Sequence, residues 1–118
     1  MASAVEAAGA ALAGSGALTL AWAAWQLRLA GTAVLPQGAP RVLVEEGPYR
    51  LSRNPMALGT AALLAGAPLA AGWPLLALAA PAWVLYAQRV RIPAEEARLA
   101  RHFGGWYSDY AAGVRRWI

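Results

Sequence analysis

Two long uncharged stretches set the plan of the chain. From Ala7 to Leu27 no residue carries a charge, close to the ~20 apolar residues that cross a bilayer's hydrocarbon. Gly9, Ala13, Gly16 and Leu20 recur at helical spacing, and the small ones make a face that a second helix can approach closely. Trp22, Trp25 and Arg28 mark the far end as an interfacial belt. The pattern predicts a first transmembrane helix over Val5 to Ala30.

The second uncharged run extends from Met56 to Gln88, too long for one simple span. Pro68, Gly72 and Pro74 interrupt it, so it predicts a helical hairpin with arms at Pro55–Ala70 and Trp73–Val90. The first arm is short and is expected to tilt little, thin the bilayer or stop below the far surface. Gly59, Ala62 and Gly66 share one face and are expected to seat the opposite arm. Between the runs, Gly31 to Glu46 is a connector in which Pro36, Gly38 and Pro40 prevent a regular helix.

Beyond Val90 the pattern becomes amphipathic. Pro93 is expected to start a helix, with Glu95 and Glu96 in its first turns, where acids suit the helix dipole. Leu99 and Phe103 supply the apolar face, and Gly104-Gly105 ends it. Trp106, Tyr107, Tyr110, Val114 and Trp117 then read as aromatic anchors at the membrane interface, with Arg115 and Arg116 on head groups.

Composition sharpens this reading. In 118 residues, 59% are hydrophobic and only 14% charged, against roughly 25% charged in soluble domains. The length suits a single domain. Cysteine is absent and there is one histidine, which excludes disulfides, thiolate chemistry and a credible metal site. His102 is expected to be an exposed helix residue. No basic residue precedes the first apolar run, so we expect no ordinary signal peptide. The net charge of +4 comes entirely from ten arginines, at positions 28, 41, 50, 53, 89, 91, 98, 101, 115 and 116. They flank apolar segments and do not interleave with aromatics, which argues against nucleic acid. Three spans place all ten on one face, and the positive-inside rule makes that face cytoplasmic. The expected fold is therefore an all-α membrane protein. It has three transmembrane helices, one N-terminal span plus a helical hairpin, and a cytoplasmic amphipathic C-terminal helical segment. No charged residue falls within the uncharged core of a span, which disfavours a transporter.

The stretch Gly47 to Gly59, GPYRLSRNPMALG, carries the candidate chemistry. Gly47-Pro48 marks a turn, and Asn54 is a natural N-cap for a helix opening at Pro55. With Arg50 and Arg53 beside it, such a helix start suits a carboxylate or phosphate; a lipid-facing turn is the plainer reading. The topology brings it to the same face as Arg91, Glu95 and Glu96. Arg91 and Glu95 stand four residues apart, in the less favourable order for a stabilising pair.

These motifs resemble a known family. GPYRLSRNPMALG from Gly47, EEARLARHFGGWYSDY from Glu95 and VRR from Val114 look like the isoprenylcysteine carboxyl methyltransferase and phospholipid methyltransferase superfamily. Its members are integral-membrane enzymes that use S-adenosyl-L-methionine. The resemblance covers about residues 41 to 118. It implies cofactor contacts at Arg41, Val42, Leu43, Val44, Tyr49, Asn54, Pro55, Met56, Ala57 and Glu95, and a substrate-side catalytic arginine at Arg91. Where the family has a tyrosine, this chain has Ala57. The implied acceptor is lipophilic, a prenylcysteine-like carboxylate or a phospholipid nitrogen; an amine or thiol would need a base, for which Glu96 and Tyr107 are candidates. The resemblance leads us to expect fewer N-terminal helices than in the eukaryotic enzymes, with a second copy able to supply missing parts of a lipid tunnel. The implied location is a bacterial-type inner membrane with the active site facing the cytoplasm. A non-catalytic scaffold or subunit that keeps the fold is the competing expectation.

Overall fold

A computed structural model describes residues 3–31 and 43–118. Among the described residues the regular structure is all helical, with no strand. Helix α1 is Ala4–Leu29, α2 is Pro55–Ala70, α3 is Ala79–Tyr86, α4 is Ile92–Phe103 and α5 is Gly105–Gly113. Short 3-10 turns occupy Gly47–Arg50 and Pro74–Leu78, and a π turn spans Ala87–Arg91.

Helix α1 opens with a capping box. Ser3 Oγ accepts the Glu6 N–H at 3.0 Å and Glu6 Oε1 accepts the Ser3 N–H at 3.4 Å. Over its 26 residues α1 is long and apolar enough to cross a membrane. It buries Gly9, Gly16 and Ala23, one small residue every seven. Helix α2 answers with Gly59 and Gly66, and the two helices pack antiparallel along this seam.

Their backbones touch. A Cβ added to Gly16 would stand 2.6 Å from the Gly59 carbonyl oxygen, and one on Gly59 would stand 2.8 Å from the Gly16 oxygen. The hairpin glycines therefore seat α1, not the second arm as expected from sequence. Two glycine stripes of equal period can close on each other over several turns, and the second arm has no glycine to match. Helix α2 is also the helix on which the Pro74–Leu78 turn and α3 pack, so it is the shared partner of both neighbours. The hairpin turn between them requires Gly72, at φ +80°.

The second arm departs from expectation in another way. The helical path does not restart at Pro93. It runs from Pro74 through α3, the π turn and α4 to Phe103, with the residues at each junction in helical conformation. Pro93 has no N–H for the Arg89 carbonyl, and its ring would crowd that oxygen in a regular helix. The π turn just before it, in which the Ile92 N–H reaches back to the Ala87 oxygen, widens the helix there.

Of the aromatics expected to anchor the C-terminal segment at the membrane, Tyr107 and Tyr110 are instead buried in a small core. Leu43, Tyr107 and Tyr110 are buried together, with Tyr49, Leu99, Phe103 and Val114 packed against them. Burial is possible because the phenol has partners: Tyr110 Oη donates to the Tyr49 carbonyl at 2.7 Å. Trp106 stays on the surface, and its Nε1 donates to Glu45 Oε2 at 2.7 Å. Elsewhere the large apolar side chains point outward, among them Leu18, Trp25, Leu75, Leu76 and Leu78, the reverse of a water-soluble fold.

Two predictions follow from this packing. Gly16→Val should destabilise the detergent-solubilised protein by about 2 kcal/mol or more, because the new side chain meets backbone. Gly14→Ala, with open space around it, should be neutral or stabilising by up to about 1 kcal/mol; thermal unfolding followed by circular dichroism compares the two. The Tyr110 phenol is pushed upward, chiefly by burial and then by Tyr49 and Tyr107. The fold thus keeps this proton to higher pH than the unfolded chain. The stability it contributes is intact below about pH 10 and is lost as pH rises beyond it. The unfolding midpoint should fall between about pH 10 and 12, and less steeply in Tyr110→Phe.

Candidate functional site

A cavity of about 320 Å³ opens where α2 begins, lined by Asn54, Ala57, Thr60, Trp83, Arg91, Ile92 and Glu95. It has two walls. The first is the start of α2. The second is the long helical run from α3 through the π turn into α4.

The first wall is set by a short polar turn. Pro55 takes the first helical position and is buried. Asn54 stands at the N-cap, but its side chain makes no cap bond. Its Nδ2 donates instead to the Arg116 carbonyl at 3.0 Å, and its backbone N–H donates to Ser52 Oγ at 3.0 Å. Ser52 is the chain's buried polar side chain among the described residues.

The second wall depends on the π turn. In an unbroken α-helix, residues four apart drift about 40° per step, so Trp83, Ala87, Arg91 and Glu95 would spread over about 120°. A π turn absorbs one extra residue, worth about 100° of rotation, and brings the later residues back onto the face of Trp83. Accordingly the Arg91 guanidinium carbon lies 5.3 Å from the centre of the Trp83 ring. Arg91 Nε stands 3.7 Å from Glu95 Oε1, a loose pair that leaves both groups with hydrogen-bonding capacity. Trp83 ties the walls together, since its Nε1 donates to the Ala57 carbonyl at 3.0 Å.

Next to Asn54 and Glu95 in the chain, Arg53 and Glu96 belong to a charge cluster. Glu96 accepts from Arg53 Nη1 at 2.9 Å, from Arg116 Nε at 3.1 Å and from Arg116 Nη2 at 2.5 Å. Arg53 also donates to Tyr107 Oη at 3.2 Å. Glu96 and Tyr107 are thus engaged in this cluster, and neither lines the cavity as a free base would. Arg53 and Arg116, placed by sequence beside a ligand and on head groups, are paired here with Glu96, while Arg53 Nε is buried without a partner. The Tyr49 hydroxyl is pushed upward by burial first and by the charge of Glu95 second, so the phenol stays protonated beside the site.

Of the residues singled out from sequence, Asn54, Ala57, Arg91 and Glu95 meet in the cavity, although 34 or more positions separate Ala57 from Arg91 and Glu95. Tyr49 lies near enough to feel Glu95. Pro55 and Met56 belong to the first turn of α2 without lining the cavity. Leu43 and Val44 are buried, Leu43 in the tyrosine core. Arg41 and Val42 lie outside the described residues. Sequence reasoning did not single out Thr60, Ile92 or Trp83. Trp83 carried no distinguishing signal: five residues before the uncharged run ends at Gln88, it reads like the interfacial tryptophans of α1.

The model of one protein family, phospholipid methyltransferase, matches residues 5–105. Neither the curated proteins nor the solved structures gave a match. The family match takes in α1, α2, both walls of the cavity and α4, and the superfamily is the one the motifs resemble. The long apolar helix agrees with a membrane setting. On this evidence the chain belongs to the phospholipid methyltransferase family, within the isoprenylcysteine and phospholipid methyltransferase superfamily.

Proposed function

We propose that the protein is an integral-membrane methyltransferase that takes its methyl group from S-adenosylmethionine and transfers it to a carboxylate on a lipophilic acceptor. The observation that carries this reading is the meeting of Asn54, Arg91, Glu95 and an aromatic face in one cavity. Its size falls within the range of small-ligand pockets, about 300–1,000 Å³.

The residues fit the cofactor's chemistry. Glu95 suits a cationic group, Trp83 and Tyr49 offer rings for a flat base, and the opening of α2 at Ala57 leaves room at the helix start. Bound there, S-adenosylmethionine supplies a methyl group activated by the sulfonium charge. The chain's task is then alignment, which alone can account for a large part of such a rate. Arg91 would orient the acceptor carboxylate, which needs no proton removed. Trp83 supplies an aromatic ring beside Ala57, where the resembling family carries a tyrosine.

The setting supports a lipid acceptor. The register of α1 on α2 pairs Gly59 with Gly16 and Leu20, so Pro55 lies about level with Trp22. The cavity therefore sits at the tryptophan belt and reaches inward from it, within reach of a lipid's polar end. We read three spans, α1, α2 and the run through α3, with the arginine-rich end in the cytoplasm of a bacterial-type cell. A phospholipid nitrogen is the second acceptor, favoured by the description of the matching family.

Labelled S-adenosylmethionine should bind the detergent-purified protein. Glu95→Gln and Trp83→Ala should each weaken binding about tenfold or more, the cost of one well-placed contact with a charged group or ring, with the helical signal unchanged. Equal binding by wild type and Glu95→Gln would remove the assigned role of Glu95. No binding by the folded wild type would instead identify a non-catalytic relative. Lipid extracts from expressing cells, compared by mass spectrometry, should contain a methylated lipophilic acid; a methylated phospholipid amine would select the second acceptor.

A further inference from the structure

The last residues of the chain touch both walls of the cavity without lining it. The Arg115 carbonyl accepts the Arg53 N–H at 2.9 Å. The Arg116 carbonyl accepts Asn54 Nδ2 at 3.0 Å and Ser52 Oγ at 3.4 Å. The Arg116 side chain reaches the other way, to both oxygens of Glu96 on α4. Trp117 Nε1 donates to Gln88 Oε1, in the π turn, at 2.7 Å. One short strap thus spans from the start of α2 to the helix that bears Arg91 and Glu95.

We propose that Arg116 is a positioning residue for the cavity, acting through Asn54 and Glu96. This rests on the methyltransferase reading above. A carbonyl oxygen can only accept, so the bond to Arg116 settles which end of the Asn54 amide faces the strap: it is the nitrogen. The amide oxygen is left for the cavity. The site therefore offers an acceptor at Asn54, and the ligand group that meets it is a donor, an ammonium, amino or hydroxyl group, and not a carboxylate. At the same time the double contact to Glu96 holds that side chain outward. Its neighbour Glu95, about 100° further round the helix, is thereby turned to the cavity. Asn54 Oδ1 and Glu95 together make an acceptor pair suited to the amino end of an amino-acid-like ligand. Arg91 is left to the anionic partner.

Asn54 is the sole asparagine of the chain, so labelling asparagine with ¹⁵N gives one pair of side-chain amide signals. In the detergent-solubilised wild type these should be well separated and slow to exchange with solvent. Arg116→Ala keeps the backbone carbonyl but loses the strap's anchor on Glu96 and should speed the exchange about tenfold, while Arg116→Lys, which keeps a cation for Glu96, should retain most of the protection. In parallel, S-adenosylmethionine titrations should show binding about tenfold weaker in Arg116→Ala, less than about threefold weaker in Arg116→Lys, and a distinctly smaller further loss, that of the Glu96 contact alone, when Arg116→Ala is added to Asn54→Ala. Unchanged amide exchange in Arg116→Ala overturns the proposal. So does an equal loss of binding in the wild-type and Asn54→Ala backgrounds. A wild type that binds no cofactor defeats the functional reading alone, because the amide signals still decide the strap. If Arg116→Ala does not fold, Arg116→Gln takes its place with the same expected results.

Discussion

Glu96 is where three distant pieces of the chain are held in register. Its two oxygens take hydrogen bonds from Arg53, which precedes α2, and from Arg116, in the C-terminal strap. The carboxylate is mostly shielded, at 20% exposure, so its charge is costly unless compensated. Two arginines compensate it. Removing one partner would leave a shielded charge short of bonds, which is why such clusters tolerate few alternative arrangements. Once Glu96 is satisfied, the start of α2 and the start of α4 cannot drift apart, and the cavity between them has a defined width.

The other half of the architecture obeys a different constraint. Along α1 and α2 the closest approaches are at glycines: Gly16 and Gly59 meet each other's backbone, with Leu20 against Gly59 and Leu69 against Gly9. In hydrocarbon, burying leucine against leucine gains little, since lipid tails are as apolar as the side chain. Close backbone approach and dispersion must hold the helices instead. The large residues are accordingly turned outward and the small ones inward. The glycine seam also sets the axial position of α2 relative to α1, and with it the depth of the cavity.

The two constraints meet at the opening of α2. The seam places Pro55, and the Glu96 cluster places Asn54 beside it. Between them, Trp83 reaches across to the Ala57 carbonyl, filling space that a larger residue at 57 would contest. The wall facing Ala57 is aromatic because the π turn keeps Trp83 and Arg91 on one face.

Much of this was legible in the amino-acid order. The uncharged runs and their proline and glycine breaks located α1 and α2 to within a residue or so, because helix length and helix ends are local matters of charge, propensity and backbone conformation. The motif residues Asn54, Ala57, Arg91 and Glu95 could be expected to meet, since the hairpin returns the chain to the face it left. Other features had no local signal. The pairing of Gly59 and Gly66 with α1, the burial of Tyr107 and Tyr110, and the commitment of Arg53, Glu96 and Arg116 to one another each depend on a partner far along the chain. Pro93 carried a local signal that misled, because a π turn can absorb what proline alone would break. Only the assembled fold decides which of two adjacent acids lines the cavity and which holds the frame: Glu95 and Glu96 are chemically equivalent side chains, and what separates them is which face of α4 meets the arginines.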